Sequence, residues 1–301
     1  MNRSDITDEK QKRWQNEQNE LKQRLICDDT EEWQKKGVPF EGLHYIGGVD
    51  ISFVKTSTTQ ACASLVICRY PDMEVVYEDC DMVELTAPYI SGFLAFREVG
   101  FFLKLLDRLR QSQSHYIPQV IMVDGNGILH PRGFGTASHL GVLADIPCIG
   151  VAKKLMQIDG LEKNDQHASK IAELIKAGDS FPLIGDSGKI WGKAVRSCDK
   201  SSNPIYVSVG HRIHLETAVG LTYQCSLYRI PEPIRQADIR SREFLRLNVP
   251  ATEEDTKKIR KSKSSILNTM ISSVRKSFLM KGVLLVVIYM IIVAIYNCLR
   301  S

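Results

Sequence analysis

Four acidic residues, spread over about two hundred positions, sit where carboxylates can act together. Asp50 closes the apolar run Tyr45-Ile46-Gly47-Gly48-Val49. Asp124 closes Val120-Ile121-Met122-Val123 and precedes Gly125-Asn126-Gly127. Glu98 lies in the apolar stretch Ser91–Phe102, and Asp238 follows Pro231-Glu232-Pro233-Ile234-Arg235-Gln236-Ala237. A carboxylate at the end of a buried strand is costly unless a cation meets it. Two such strand ends and a helix carboxylate can hold a hard divalent ion. Cys and His do not cluster with these acids, and an oxygen-only donor set favours Mg2+, with Mn2+ able to substitute, over Zn2+. The chemistry expected is metal-assisted hydrolysis of a phosphodiester.

Each acid also has a plainer reading. Asp50 alone could be a strand-end aspartate capped by backbone N–H groups. Glu98 could pair with Arg97 or Lys104, although adjacent helix residues do not face each other. The recurrence of one strand-end pattern at Asp50 and Asp124 favours the shared site.

The elements that must position these residues follow from hydrophobic periodicity. Residues 5–35 read as a polar amphipathic helix with Trp14, Leu21 and Leu25 on one face. Strand patterns cover residues 45–54, 61–69 and 74–85, and their short connections predict an antiparallel meander. Pro88 breaks the pattern ahead of a long apolar helix over residues 92–109. Then come a strand at 119–124, a helix at 136–144, a strand at 148–152 and a helix at 161–178. Residues 189–196 and 204–209 alternate as strands do, and 215–227 reads as helix. The order predicts an α/β fold, a mixed central sheet flanked by helices, as in ribonuclease H-like folds. In such a sheet the first and fourth strands can be neighbours, which brings Asp50 and Asp124 to the same sheet end.

Two further segments carry candidate contacts. The loop Gly125-Asn126-Gly127 ends a strand ahead of a helix, a place where backbone meets phosphate, with His130 and Arg132 at hand. A type I′ hairpin is the competing reading, weakened by Pro131 and by the missing strand alternation after it. Pro88-Tyr89-Ile90 enters the helix that carries Glu98. It reads either as a structural proline turn or as an aromatic wedge that stacks where a base has been displaced.

Composition is ordinary for a globular chain of 301 residues, with 44% hydrophobic and 25% charged residues. The net charge of +4 is uneven: residues 251–301 hold nine Lys or Arg against three Asp or Glu, a net +6, leaving the rest at −2. That excludes a strongly basic nucleic-acid coat protein, so phosphate binding must come from a local patch or a metal. The eight cysteines form no C-x-x-C pair and read as reduced apolar residues of a reducing compartment. The polar start offers no secretory signal. We expect one catalytic domain over residues 1–249, a basic polar linker over 250–277 and a hydrophobic tail over 278–299. The tail has 22 residues including Lys281 and Asn297, against roughly 20 apolar residues for a spanning helix. A membrane tail anchor and a hydrophobic helix of other use are its two readings.

The motifs together resemble the endonuclease V family, its animal branch most closely. They are Gly47-Gly-Val-Asp50-Ile-Ser-Phe53, Pro88-Tyr-Ile-Ser-Gly-Phe-Leu-Ala-Phe-Arg-Glu98, Val123-Asp-Gly-Asn-Gly127, Gly150-Val-Ala-Lys153-Lys154 and Pro231-Glu-Pro-Ile-Arg-Gln-Ala-Asp238, in order between about residues 10 and 248. The resemblance implies a ribonuclease H-like fold and cleavage at the second phosphodiester 3′ to an inosine. It implies metal-binding roles for Asp50 and Asp124, catalytic roles for Glu98, Asp238 and Lys153, and a wedge made of Pro88, Tyr89 and Ile90. Gly125 and Gly127 would line the substrate site, where backbone groups can reject the exocyclic amines of guanine and adenine. Inosine-containing single-stranded RNA is the expected substrate, deoxyinosine DNA the alternative, and a non-catalytic inosine-binding or membrane-tethered adaptor the rival from another class. A monomer of cytoplasm and nucleus, nucleolus included, is expected. Ser91 departs from the second wedge proline of many bacterial members, and the apolar tail lies outside the family pattern.

Overall fold

The structure, a computed structural model, describes residues 3–249 together with residues 292, 293 and 296. The chain divides after Asn248, and the first unit holds every candidate site residue. The expected linker over 250–277 lies outside the described residues, as does the tail over 278–299 apart from the three residues just named. Among the described residues no helix is long and apolar enough to cross a membrane.

An eight-stranded mixed sheet organises the first unit, in the order β3-β2-β1-β4-β5-β8-β7-β6. The meander comprises β1 (Tyr45–Phe53), β2 (Gln60–Arg69) and β3 (Val75–Glu84), paired antiparallel. Next to it lie β4 (Val120–Asp124) and β5 (Cys148–Ala152), parallel to β1 and to each other. The remaining strands are β6 (Ser180–Ile184), β7 (Ile190–Val195) and β8 (Ile205–His211). β8 pairs antiparallel with both β5 and β7, and β7 pairs antiparallel with β6.

Helices cover both faces, as the continuous apolar runs of β4 and β5 require. On one face α3 (Ala95–Ser112) and α4 (Thr136–Ala144) bury Val99, Phe102, Leu106 and Leu140 against Val49, Leu65, Ile121 and Val123. On the other, α6 (Leu215–Gln224) and α7 (Glu232–Asn248) bury Leu221, Ile234 and Ala237 against Ile46, Val120, Met122 and Ile149. α1 (Arg3–Lys22), α2 (Glu32–Lys35) and α5 (Asp165–Ala172) complete the set.

Several expectations need correction. The single helix over 5–35 is two, because polar side chains between them compete for backbone groups. The Gln34 carboxamide accepts from the backbone N–H groups of Thr30 and Glu31, both at 2.7 Å, and Asp29 accepts from His214 N and the Thr217 hydroxyl. The helix over 161–178 is only α5. Asn164 caps its start, and past its end Asp179 takes the N–H groups of Ile175 and Lys176 at 2.8 Å each. Apart from a single 3-10 turn at Ser114–Tyr116, two elements were not anticipated. β6 contains Pro182, which a sheet accepts here because β6 is an edge strand. α7 begins between Pro231 and Pro233, which disguise a helix start where prolines are tolerated.

Candidate active site

The site begins with β-sheet register. Val49 of β1 lies beside Val123 of β4 in parallel pairing, so the next residues, Asp50 and Asp124, fall side by side. Asp124 ends β4, but Asp50 is not the strand end expected, because β1 runs on to Phe53 and Asp50 pairs with Ser64 of β2. Gly48 makes room for the third acid. A Cβ there would stand 2.0 Å from the carbonyl oxygen of Pro233, so only glycine lets the start of α7 press against β1. α7 then carries Asp238 and Ser241 over the strand. The Ser241 hydroxyl donates to Asp50 Oδ2 at 3.3 Å and lies 2.7 Å from the Ser52 hydroxyl, which itself reaches Asp50 Oδ2 at 3.3 Å. Arg242, one turn beyond Asp238, donates from Nε to Asp238 Oδ1 at 2.7 Å. Asp238 Oδ2 accepts no hydrogen bond among the described residues.

Glu98 arrives from the opposite face, in the first turn of α3. Its expected local partners are elsewhere: Arg97 donates to the Thr58 carbonyl at 2.9 Å, and Lys104 stands over the Phe101 ring. Asp50 and Glu98 are each 8% exposed. Burial first, and then the charges of Asp124 and Asp238, push Asp50 up to about 6. Burial, with the Asp50 and Asp124 charges added, pushes Glu98 up to about 8 against the opposing pull of Arg97.

Lys153, one residue past β5, brings the positive charge. Its Nζ lies 2.5 Å from Asp124 Oδ2. Burial works to lower its pKa, but the hydrogen bond and charge of Asp124, with Asp50 and Asp238 behind, raise it, so the ammonium stays charged. Arg229 anchors the strand end by donating from Nη2 to the Lys153 carbonyl at 2.8 Å and the Pro204 carbonyl at 3.0 Å.

Among the described residues no three carboxylate, imidazole or thiol groups already close on one point as metal ligands. The donor set nevertheless fits a hard divalent cation. All four donors are carboxylates, and two, Asp50 and Glu98, have their proton affinity raised by burial first and by crowding with neighbouring carboxylates second, beside one ammonium. A divalent ion between Asp50 and Asp124 would relieve that crowding.

The glycine loop differs from expectation. The Gly125 N–H donates to the Val151 carbonyl, Gly127 N–H to the Ser208 hydroxyl at 2.9 Å, and Ile128 N–H to the Val209 carbonyl. These donors are engaged within the fold and not open to phosphate. Gly127 is required by packing, since a Cβ there would meet the Val209 carbonyl oxygen at 1.8 Å. His130 and Arg132 do not face the acids: Arg132 donates to the carbonyl of Gly92 and to the side chain of Gln18, and buried His130 accepts the Arg132 N–H. Gly125 lies at the end of β4 beside Asp124, and the wedge residues stand at the surface, with Tyr89 71% exposed.

Sequence reasoning missed Ser52, Ser241, Arg242 and Arg229. The helical spacing Asp238, Ser241, Arg242 was the available signal, but it has meaning only once α7 is seen as a helix.

Comparison with known proteins gives the family and the fold. A protein-family model described as Endonuclease V matches residues 19–239. The chain is 60% identical over 233 residues to a Mus musculus protein named Endonuclease V, covering 77% of this chain and 69% of that one. It is similar in structure to the catalytic domain of human Endonuclease V, with a TM-score of 0.79 and 57% identity over 80% of this chain and 99% of the other. A Ciona intestinalis Endonuclease V, solved with a 24mer DNA containing an inosine followed by a ribo-adenosine, gives a TM-score of 0.73 at 36% identity, over 79% of this chain and 98% of that one.

Proposed function

The chain belongs to the endonuclease V family and is an endonuclease, and from that membership we propose that it is a Mg2+-dependent endoribonuclease that cuts inosine-containing single-stranded RNA at the second phosphodiester 3′ to the inosine. The observation that carries the reading is the gathering of Asp50, Asp124 and Asp238 around the Lys153 ammonium, with Glu98 within their field. A divalent cation held by Asp50 and Asp124 would supply the charge that polarises the scissile phosphodiester and acidifies the attacking water.

The chain's own residues do the rest. Lys153 offers a fixed positive charge to a phosphate oxygen. Asp238 Oδ2 is free to take a proton from water, while Arg242 holds Oδ1 and fixes the carboxylate plane. Ser52 and Ser241 orient Asp50. Tyr89, exposed on the loop before α3, stacks in the gap left by the displaced base. The ribo-adenosine in the Ciona complex supports a ribonucleotide 3′ to the inosine as part of what is recognised.

The test is cleavage of end-labelled RNA and DNA strands, each with one inosine or deoxyinosine, under Mg2+. The expected product is RNA cut at the second phosphodiester 3′ to inosine. Faster cutting of the DNA strand would replace this reading with a DNA-nicking enzyme. Tight inosine binding without any product would leave only the non-catalytic adaptor.

A further inference from the structure

α1 and the loop after β4 jointly grip the segment that carries Tyr89. Gly92 follows the Pro88–Ser91 stretch and adopts φ +80, a left-handed conformation suited to glycine. Its carbonyl oxygen accepts from Arg132 Nη2 and lies 3.5 Å from Gln18 Nε2. Arg132 Nε in turn donates to Gln18 Oε1, and Gln18 Nε2 donates to the Phe134 carbonyl at 2.7 Å. Gln18 is 1% exposed, so both ends of its carboxamide are used in a dry setting. A Cβ on Gly92 would meet Arg132 Nη2 at 2.6 Å, which shows how tightly the guanidinium sits under the turn.

Aromatic packing closes the same joint. The Arg132 guanidinium lies 3.9 Å from the Phe93 ring centroid, and Trp14 of α1 stacks on Phe96 at 5.1 Å and touches Phe93 at 6.0 Å. Lys22, at the end of α1, donates to the Arg132 carbonyl at 2.6 Å. None of Trp14, Gln18, Lys22 and Arg132 faces the carboxylates. All bear on the turn that joins Tyr89 to the helix of Glu98.

We propose that Gln18 and Arg132 are positioning residues for base capture: through the Gly92 carbonyl, α1 holds the Pro88–Ser91 segment so that Tyr89 stands ready to stack beside an inosine. This inference rests on the wedge reading of Tyr89. A segment held in its binding conformation loses less freedom on binding, so the device acts on affinity and leaves the chemical step alone.

The full chain carrying Gln18→Met keeps the side-chain volume and removes the hydrogen bonds of Gln18 to Arg132 and to the Phe134 and Gly92 carbonyls. Single-turnover cleavage of an inosine RNA strand separates affinity from the chemical rate, and melting confirms the fold. Expected is a loss of affinity of about fivefold to tenfold, the scale of one polar contact, with the saturated rate within twofold. In a Tyr89→Ala background the same substitution should add no further loss, because the grip has nothing left to position. Arg132→Lys, which keeps the charge and loses the fork, should behave alike and serves if Gln18→Met melts early. Full additivity with Tyr89→Ala, a fall in the saturated rate, or unchanged affinity would each overturn the proposal. If the unaltered chain leaves inosine RNA uncut, or if Tyr89→Ala binds as well as the unaltered chain, the failure lies in the reading beneath it.

Discussion

Asp50 and Asp124 stand side by side because Val49 and Val123 are paired in two parallel strands and each aspartate is the next residue. Burial first, and then repulsion from Asp124 and Asp238, pushes the pKa of Asp50 up to about 6. A site arranged this way invites a divalent cation.

Replacing Asp50 with Asn should therefore abolish most of the activity and spare the fold. A loss above about a hundredfold is expected, beyond the range for groups that only support a metal ligand. Melting temperature should stay level or rise, since the buried charge opposes folding. Chelation with EDTA should silence the unaltered enzyme; full activity in EDTA would sink the metal assignment.

Glu98 should make the metal-free protein less stable in mild base. Its folded pKa, pushed up to about 8, lies above its ordinary value of 4.5. Stability tied to the protonated form is complete below the ordinary carboxylate range and is lost as pH rises through about 8. Thermal melts in EDTA across about pH 5 to 9 should show the unaltered chain falling relative to Glu98→Gln. Parallel curves for the two proteins would contradict the burial argument.

Tyr89→Ala should weaken binding to inosine RNA by about 1–3 kcal/mol, the scale of one base–aromatic stack. Tyr89→Phe should bind nearly as well as the unaltered chain, because stacking needs no hydroxyl. Equal losses in both variants would point to a hydrogen bond instead.

Removing residues 251–301 should leave solution cleavage within about tenfold, since every site residue, through Arg242, precedes the cut. The basic stretch ahead of the apolar run suits an anionic membrane surface, at about 1 kcal/mol per Lys or Arg. Vesicle flotation of full and shortened chains would read that out. A larger fall in turnover at equal folded concentration would put the tail inside the working enzyme.

Much of this protein is determined by local sequence. The apolar runs that lead to Asp50 and Asp124 announce buried strands, and a carboxylate that interrupts or ends such a run announces a site, although only pairing with β2 carries β1 on past Asp50 to Phe53. The bounds of β5 are legible because Cys148–Ala152 is a short apolar run between Pro147 and Lys153, and those of α4 because it lies between Gly135 and Asp145. Other features depend on what meets across the fold. Ser241 touches Asp50 from 191 positions away, and α7 is hidden in sequence by Pro231 and Pro233. Gly127 looks like a phosphate loop until β8 is seen pressed against it. Arg132 looks like a phosphate ligand until Gln18 and the Gly92 carbonyl are seen to hold it. Hydrophobic period reports which face of an element is buried. It carries no record of which distant backbone occupies that face, and at this site the distant partners orient the carboxylates and commit the loop's donors.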